Sequence, residues 1–462
     1  MIKKSNLSKL LIYIFPGLIG SLVSIFTATI FVIYLTSDKY ANFILQHLAI
    51  TFGTSVLSLY IGKTTIINIS NLNSKKKSEI IFSSLMLMSI TGLILSLITY
   101  IFLILLIKKI NLFDVTTSVF LGLLFSSIYV NIEDMAKGLS LNKSSSISNL
   151  FFMNGSISIP AFLLIAFNNE FIESNLFNIS IFIKILTTIF LLLIILKTQK
   201  IKRTKIIFSH FYKYKMQNFF LCCYGILGQI YSSLDKYLIK ASFNSFQLVA
   251  YSLSQQIASK IGIISYACSN LMFGKILKNS YDKKSILSAN VYFCFYLCSF
   301  SCLIILPFFD DLLSIILKNK FNKLIVETLK FFILVNIICA LKECFDIFLQ
   351  SILKVKKDLK YNLIILPFFL LAILICLYFK NLSLFILAIL FKEIFLLILK
   401  IQLTKKYLVN YNILIMQVLI LSIIIILNIF FKSNALYIIF NIIFFFAAYI
   451  NFNGRLIKKY FL

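Results

Sequence analysis

Long apolar runs recur from one end of the chain to the other, and short breaks that carry charged residues separate them. A helix that crosses a membrane needs about 20 mostly apolar residues, and each run is long enough for one crossing. Transmembrane β-strands would instead alternate strictly between apolar and polar residues over about 10 positions. The first run, residues 10–35, also exceeds the core of a cleaved signal peptide, which has roughly 7–15 residues. The runs therefore predict an all-α fold, that of a polytopic helical membrane protein.

The composition excludes the other broad classes of protein. Of the 462 residues, 60% are hydrophobic and 13% are charged, whereas soluble domains average about 45–50% apolar and about 25% charged residues. The mean hydropathy of +0.97 rules out a disordered chain, because disorder requires low hydrophobicity. The net charge of +29 does not predict a nucleic-acid partner, because the cytoplasmic loops of membrane proteins concentrate lysine and arginine and meet anionic membrane lipids.

Dividing the runs at their charged breaks gives about fourteen predicted spans. The longest connection follows the sixth span, is strongly basic, and marks a division between two halves. We expect an N-terminal six-helix bundle over residues 1–200, a basic cytoplasmic linker over residues 201–218, and a second six-helix bundle over residues 219–406. Residues 407–462 would add two further helices. The loops on one side of this arrangement hold most of the basic residues, so both termini are expected in the cytoplasm.

Two similar segments indicate that the halves repeat each other. The sixth predicted span opens with the sequence NISIFI at residues 178–183, and the twelfth opens with NLSLFI at residues 381–386. The lysine-rich breaks after the second and the eighth span are separated by a similar offset. Because each half has an even number of spans, the halves would be parallel repeats about an axis along the membrane normal.

Residues that enzymes and metal sites require are scarce. The chain has two histidines, no glycine-rich phosphate loop and no H-E-x-x-H sequence, the patterns that would indicate nucleotide or zinc chemistry. Cys294, Cys298 and Cys302 recur at every fourth position along one helix face, but a buried cysteine behaves as a small apolar residue. We predict that the chain is not an enzyme and holds no metal or cofactor.

Ionisable residues inside the predicted spans are the candidate functional residues. A charge at mid-helix costs about 2.5–3.5 kcal/mol on insertion scales, so these side chains are not expected to face lipid. The primary candidates for a substrate path are Lys184, Asp235, Lys236, Lys260, Lys392 and Glu393. The secondary candidates are Lys330, Lys342, Glu343 and Asp346.

Two interpretations of these charges stay open at the level of sequence. In the first, they form structural ion pairs, with Lys342 and Asp346 paired locally at i, i+4 and Glu393 paired with Lys260 across helices. In the second, the excess of lysine over acid lines a water-filled cavity that attracts an anionic ligand.

Several stretches resemble the Wzx-type O-antigen and capsular polysaccharide flippases of the multidrug/oligosaccharidyl-lipid/polysaccharide exporter superfamily. They are LSKL at 7–10 with the following Pro16 and Gly17, LDKYLI at 234–239, VAYS at 249–252 and QQIA at 255–258. The resemblance implies a V-shaped pair of bundles in the bacterial inner membrane that open alternately to each side. It also implies a substrate, an oligosaccharide on undecaprenyl pyrophosphate, and other polysaccharide assembly proteins as partners. Asp235 and Lys236 are the positions carried over from the family pattern, while the coupling ion, H⁺ or Na⁺, is not identified.

Three alternatives have distinct sequence signatures. A MATE-type drug or cation exporter would more typically have twelve spans and acidic residues at mid-membrane. A lipid II flippase would carry a cluster of cavity arginines, which the chain lacks. An O-antigen polymerase would need a large external loop with catalytic arginines.

Overall fold

The computed structural model describes most of the chain, and its described residues form helices with no strand among them. The described residues are 4–58, 61–62, 65, 74–110, 116–139, 141–167, 170–199, 215–260, 262, 283–305, 309–317, 322–351 and 355–408. The predicted all-α class is confirmed for these residues.

The first helices run from the N-terminal end to the middle of the chain. They are α1 (Lys4–Tyr34), α2 (Ser37–Leu57), α3 (Ser74–Ile110), α4 (Thr117–Gly138), α5 (Asn142–Asn149), α6 (Ser156–Phe167), α7 (Glu170–Gln199) and α8 (Lys215–Ser242). A π-helical segment, Leu150–Gly155, joins α5 to α6. Thr36 caps α2, because its side chain accepts a hydrogen bond from the Lys39 backbone N–H at 3.4 Å.

The remaining described helices follow in the second half. They are α9 (Ser245–Ser259), α10 (Lys283–Ile305), α11 (Phe309–Leu317), α12 (Lys323–Ser351), α13 (Val355–Tyr378) and α14 (Leu382–Thr404), with a short 3₁₀ turn at Lys405–Tyr407. Asn381 caps α14, because its side chain accepts a hydrogen bond from the Leu384 backbone N–H at 3.1 Å.

One compact unit comprises Leu22–Val249. Within it α2 packs against α4 and α8, and α7 packs against α4 and α6. Aromatic side chains hold one of its cores together: the ring of Phe43 lies 5.0 Å from that of Phe31 and 6.5 Å from that of Phe177. Helix α8, which the sequence analysis assigns to the second bundle, thus contacts α2 of this unit.

The second compact unit comprises Ala250–Leu462 together with Met1–Ser21. Its described core is a layer in which α12 contacts α10, α13 and α14. Tyr251, at the start of this unit, packs edge-on against Phe332 at 4.7 Å and against Phe385 at 6.2 Å. These rings join α9 to α12 and α14 and fix the helices that carry the buried charges.

Two irregular backbone segments interrupt the spans of the first unit. Helix α2 ends at Leu57, and Asn131 of α4 bonds both sides of the break: its Nδ2 donates to the Ser58 carbonyl and its Oδ1 accepts the Gly62 N–H, each at 2.8 Å. The second irregularity is the π-helical segment Leu150–Gly155. In the first of them an interior side chain bonds backbone groups that lie outside the regular helix, and in the second the helical hydrogen bonds shift to the wider π pattern.

Within the described ranges, seven helices are long and apolar enough to cross a membrane. They are Ser78–Leu105, Thr117–Ala136, Ser144–Phe167, Glu170–Thr198, Lys323–Leu349, Lys356–Tyr378 and Leu382–Tyr407. Exposed apolar residues recur at helical spacing along α3, including Ile90, Leu93, Leu97 and Ile101, as expected for a side that faces lipid. The protein is therefore a multi-pass membrane protein. Residues 409–462 and most of the predicted linker lie outside the described residues, so the count of fourteen spans stays a prediction.

Candidate functional site

Helices α12 and α14 bring three of the candidate charges into direct contact. The Lys342 Nζ lies 2.5 Å from Glu393 Oε2, and the Lys392 Nζ lies 2.8 Å from Glu393 Oε1. Lys392 and Glu393 are buried, and the Lys392 ammonium also lies 4.6 Å from the centre of the Phe369 ring. The carboxylate of Glu393 thus forms ion pairs with two ammonium groups.

A second charged group lies two turns further along α14. The buried Lys400 ammonium pairs with Asp346 of α12 and lies 3.3 Å from Oδ1 of Asp358 on α13. Asn362 donates to the same Asp358 oxygen at 3.3 Å. The second group therefore joins three helices through a single lysine.

The two pairings predicted from sequence are wrong. Lys342 and Asp346 lie one turn apart on α12, but each finds its partner on α14, Glu393 and Lys400 respectively. Glu393 pairs with Lys342 and Lys392 and not with Lys260. The physical reason is that α12 and α14 pack side by side, so a facing helix offers a shorter contact than the next turn of the same helix.

Lys184 of α7 differs from the buried lysines of α14. Its side chain is 7% exposed, and its Nζ lies 5.3 Å from the centre of the Phe152 ring. Among the residues that the structure describes, no carboxylate lies within 4 Å of this ammonium. Phe152 belongs to the π-helical segment and stacks on Tyr129 with the ring centres 3.7 Å apart and the planes 3° apart. The ammonium is therefore held over an aromatic pair, without a neutralising acid.

Sequence reasoning did not select His47 as a site residue. Its Nδ1 lies 3.0 Å from the Phe43 carbonyl oxygen, and its Nε2 lies 2.8 Å from the Ser180 hydroxyl oxygen. Ser180 is one turn before Lys184 on α7, so His47, Ser180 and Lys184 line one polar stripe in an apolar core. The only signal in the sequence was that the predicted second span is among the least apolar.

Among the described residues, no hydrogen bond or ion pair joins the other candidates to this stripe. Asp235 is buried in α8 and accepts the Lys236 N–H at 2.8 Å, while the Lys236 ammonium donates to the Ser232 carbonyl at 3.1 Å. Lys260 lies at the end of α9, and in the described part of the chain no carboxylate lies within 4 Å of its Nζ. Lys330 and Glu343 are partly buried in α12.

A polar network lies at one end of the first unit. Ser245 donates a hydrogen bond to Asp38, and the Lys240 Nζ lies 2.5 Å from the Ser245 hydroxyl and 3.4 Å from Asp38 Oδ1. The hydrogen bond from Ser245, followed by the bond and charge of Lys240, lowers the pKa of Asp38 below its usual value. Nearby, Lys39 pairs with Glu173 at 2.9 Å. In the described ranges, no group of three or more His, Cys, Asp or Glu side chains is placed to hold a metal ion.

Comparisons with known proteins establish the fold. No protein-family model and no curated protein sequence matches the chain. A structure of the lipid II flippase MurJ in an inward closed conformation matches with a TM-score of 0.64 at 16% identity, over 96% of this chain and 98% of that chain. A multidrug resistance MATE-family transporter of the MOP superfamily, in an outward-facing conformation, matches with a TM-score of 0.56 at 11% identity, over 90% and 96%. A Vibrio cholerae MATE transporter matches with a TM-score of 0.53 at 14% identity, over 87% and 97%.

These matches extend over nearly the whole length of each protein. The chain therefore has the helical transporter fold that these proteins share, as the sequence predicted. The identities of 16% and below leave the substrate to be argued from this chain's own residues.

Proposed function

We propose that the protein is a flippase for lipid-linked oligosaccharides of the O-antigen or capsular type. It would move an undecaprenyl-pyrophosphate-linked repeat unit from the cytoplasmic to the outer leaflet of the bacterial inner membrane by opening its binding site to each side in turn. The transporter fold and the resemblance of several stretches to Wzx-type flippases support this proposal. It also agrees with the scarcity of residues that would carry out a chemical reaction.

The observation that carries the proposal is the isolated ammonium of Lys184. A buried charge is costly unless a partner compensates it. Lys342, Lys392 and Lys400 have carboxylate partners. Among the described residues, Lys184 has no carboxylate within 4 Å and lies over the face of Phe152, a contact worth about 0.5–2 kcal/mol. A pyrophosphate group would supply the missing negative charge when the substrate is bound.

Lys184 also argues against a cation exporter, because a buried ammonium with no carboxylate beside it in the described part of the chain repels a cationic drug. Lipid II flippase is the second candidate, and the structural match to MurJ over nearly both whole chains favours it. Lipid II shares the pyrophosphate and the polyprenyl tail, so Lys184 serves either substrate. The sugar portion distinguishes the two.

Disruption of the gene tests the function. We expect cells to keep making single lipid-linked repeat units and to lose their surface polysaccharide. Arrested cell-wall synthesis, with normal surface polysaccharide, would identify lipid II as the substrate. Normal surface polymer and a normal wall, in a strain without a redundant transporter, would contradict both candidates.

Substitution of Lys184 tests the site. Lys184→Gln removes a charge-assisted contact worth about 1.5–3 kcal/mol, so export is expected to fall about tenfold to a hundredfold. Lys184→Arg is expected to retain part of the activity, because it keeps the charge. Lys197→Gln is the matched control, since Lys197 is an exposed lysine near the end of the same helix. Full export by Lys184→Gln at equal protein level would remove Lys184 from the substrate path.

A further inference from the structure

We propose that His47 takes up a proton when the anionic headgroup binds at Lys184, so that headgroup and proton cross the membrane together. This inference rests on the proposed function and assigns its coupling ion and the residue that carries it. The observation behind it is that the buried His47 bonds Ser180, one helical turn before Lys184, a lysine with no carboxylate within 4 Å among the described residues.

The hydrogen bonds fix the neutral form of the His47 ring. A carbonyl oxygen only accepts hydrogen bonds, so the contact with the Phe43 carbonyl at 3.0 Å places the ring proton on Nδ1. Nε2 is then the acceptor, and the Ser180 hydroxyl donates to it across 2.8 Å. Both ring nitrogens are satisfied while the histidine carries no charge.

The same contacts also satisfy the protonated ring. A proton added at Nε2 points at the Ser180 oxygen, and the hydroxyl turns from donor to acceptor. Protonation therefore changes the direction of one hydrogen bond and breaks none. Few buried groups can change charge with so little rearrangement, and this property suits His47 to cycle between two protonation states.

The charges around His47 determine when the proton binds. Burial opposes a positive charge on the ring, and the ammonium of Lys184, one turn from Ser180, opposes it further. Helices α3, α4, α7 and α8 pack against α2, and α1 and α9 reach it through Phe31 and Ser245. Their other ionisable groups include Tyr100 on α3, Tyr129, Glu133 and Asp134 on α4, Tyr231, Asp235, Lys236 and Tyr237 on α8, and Tyr251 on α9.

Among these charged groups, Lys184 has the largest electrostatic effect on the His47 ring. Glu133 and Asp134 lie in the last turns of α4, close to the level of the break after α2. Asp235 and Lys236 carry opposite charges on adjacent residues of α8, and the Tyr237 hydroxyl donates to the Leu45 carbonyl at 3.3 Å. Without an anion, therefore, burial and the Lys184 ammonium together favour a neutral His47.

An anionic headgroup reverses this balance. A pyrophosphate diester carries one negative charge on each phosphate, so an anion held by Lys184 leaves one charge uncompensated and favours a proton on His47. The proton comes from water on the side to which the site is open and leaves when the anion departs. By thermodynamic linkage, protonation of His47 and binding of the anion strengthen each other to the same extent.

The test measures protons taken up per anion bound by the full-length protein in lipid nanodiscs. The probe is farnesyl-pyrophosphoryl-N-acetylglucosamine, whose phosphates keep their charges throughout the neutral range. Titration calorimetry in buffers of different ionisation enthalpy is expected to show uptake of about one proton by the wild type. The Kd should weaken about tenfold per pH unit where free His47 is neutral. His47→Gln should take up no proton and show a flat dependence of Kd on pH.

The chain provides a matched control, because its only other histidine is His210. His210→Gln should behave as the wild type. Two results would overturn the inference. One is proton uptake that persists in His47→Gln. The other is anion binding by the wild type without proton uptake, which can be measured without any variant. Wild-type protein that fails to bind the probe would contradict the proposed function as well, so the two failures are distinguishable.

Discussion

At the scale of single residues, the buried lysines fall into two kinds. Lys342, Lys392 and Lys400 have carboxylates within ion-pair distance on α12, α13 or α14, and such contacts fix how the helices meet. Lys184 lies over an aromatic ring, with no acid close to it among the described residues. The sequence shows all of these lysines as equivalent interruptions of apolar spans. Only their partners separate the lysines that pair with acids from Lys184, for which we propose a role in substrate binding.

The structural kind gives a stability prediction for Glu393. Glu393→Gln leaves the Lys342 and Lys392 ammonium groups without their shared carboxylate, and breaking a buried pair costs about 3–5 kcal/mol. We expect a lower thermal unfolding midpoint in detergent and a lower protein level. Adding Lys342→Gln should recover part of the loss, because one stray charge disappears. Glu327→Gln is the control, because Glu327 is an exposed glutamate on α12, the helix of Lys342. An equal loss of stability in that variant would contradict the assignment.

The sequence located these charges within spans but could not assign their partners. Spacing along one helix suggested Lys342 with Asp346, since residues four apart are neighbours on a helix surface. The relative rotation of α12 and α14 instead places both residues against partners on α14. Spacing along one helix carries no information about that rotation. His47 was missed for a related reason: its partner Ser180 is 133 positions away in the sequence.

At the scale of helices, the irregular segments hold the polar groups in place. The π-helical segment carries Phe152, which stacks on Tyr129 and supports the Lys184 ammonium. Beside the break after α2, Asn131 donates to the Ser58 carbonyl and accepts the Gly62 N–H, so its side chain bonds backbone polar groups of an irregular segment. Both features lie in the unit that carries His47, so local departures from helical geometry accompany the candidate site.

Two glycines test the break after α2. A Cβ at Gly62 would overlap the backbone of Asn131, whereas a Cβ at Gly228 in α8 would meet nothing within 4 Å. Gly62→Ala is expected to destabilise the protein by about 1–3 kcal/mol through overpacking. Gly228→Ala should be neutral or stabilising by about 0.5–1 kcal/mol, because alanine favours the helix. Thermal unfolding of the two variants in one detergent gives the comparison, and a stable Gly62→Ala protein would contradict the close packing at Asn131.

The network at the start of α9 gives a prediction for pH. Because Ser245 and Lys240 lower the pKa of Asp38, the contact is present at neutral pH and is lost as the pH falls through that lowered value. Hydrogen exchange of the backbone at residues 244–247 should therefore rise only on strong acidification. In Asp38→Asn it should already be raised at neutral pH. Equal exchange in the two proteins at neutral pH would show that Asp38 does not order this segment.

At the scale of the whole molecule, function requires two opposed properties. Apolar faces such as that of α3 must be stable in lipid, while under the proposed function the polar stripe of His47, Ser180 and Lys184 accepts a charged headgroup. The transporter fold reconciles them by keeping charges in the interior of a unit and apolar residues on its outside. Each buried charge therefore needs either a protein partner or a substrate.

The topology is the prediction at this scale. Reporter fusions should place both termini and residues 197–215 in the cytoplasm, because a short loop so rich in lysine and arginine resists translocation. A reporter fused within residues 197–215 that is found outside the cytoplasm would overturn the predicted span count. A fusion in the break after α1, near Lys39, should report the opposite side and serves as the internal control.

The sequence by itself determined that the chain is an all-α membrane protein, because the length of an apolar run is a local property and lipid selects helices from such runs. It also identified Lys184 as one of the residues too costly to face lipid. Only the tertiary structure decided which charges neutralise one another, and that Lys184 has no acid beside it among the described residues. A contact between two helices depends on their relative rotation and depth, and residues far apart in sequence, such as His47 and Ser180, set it together.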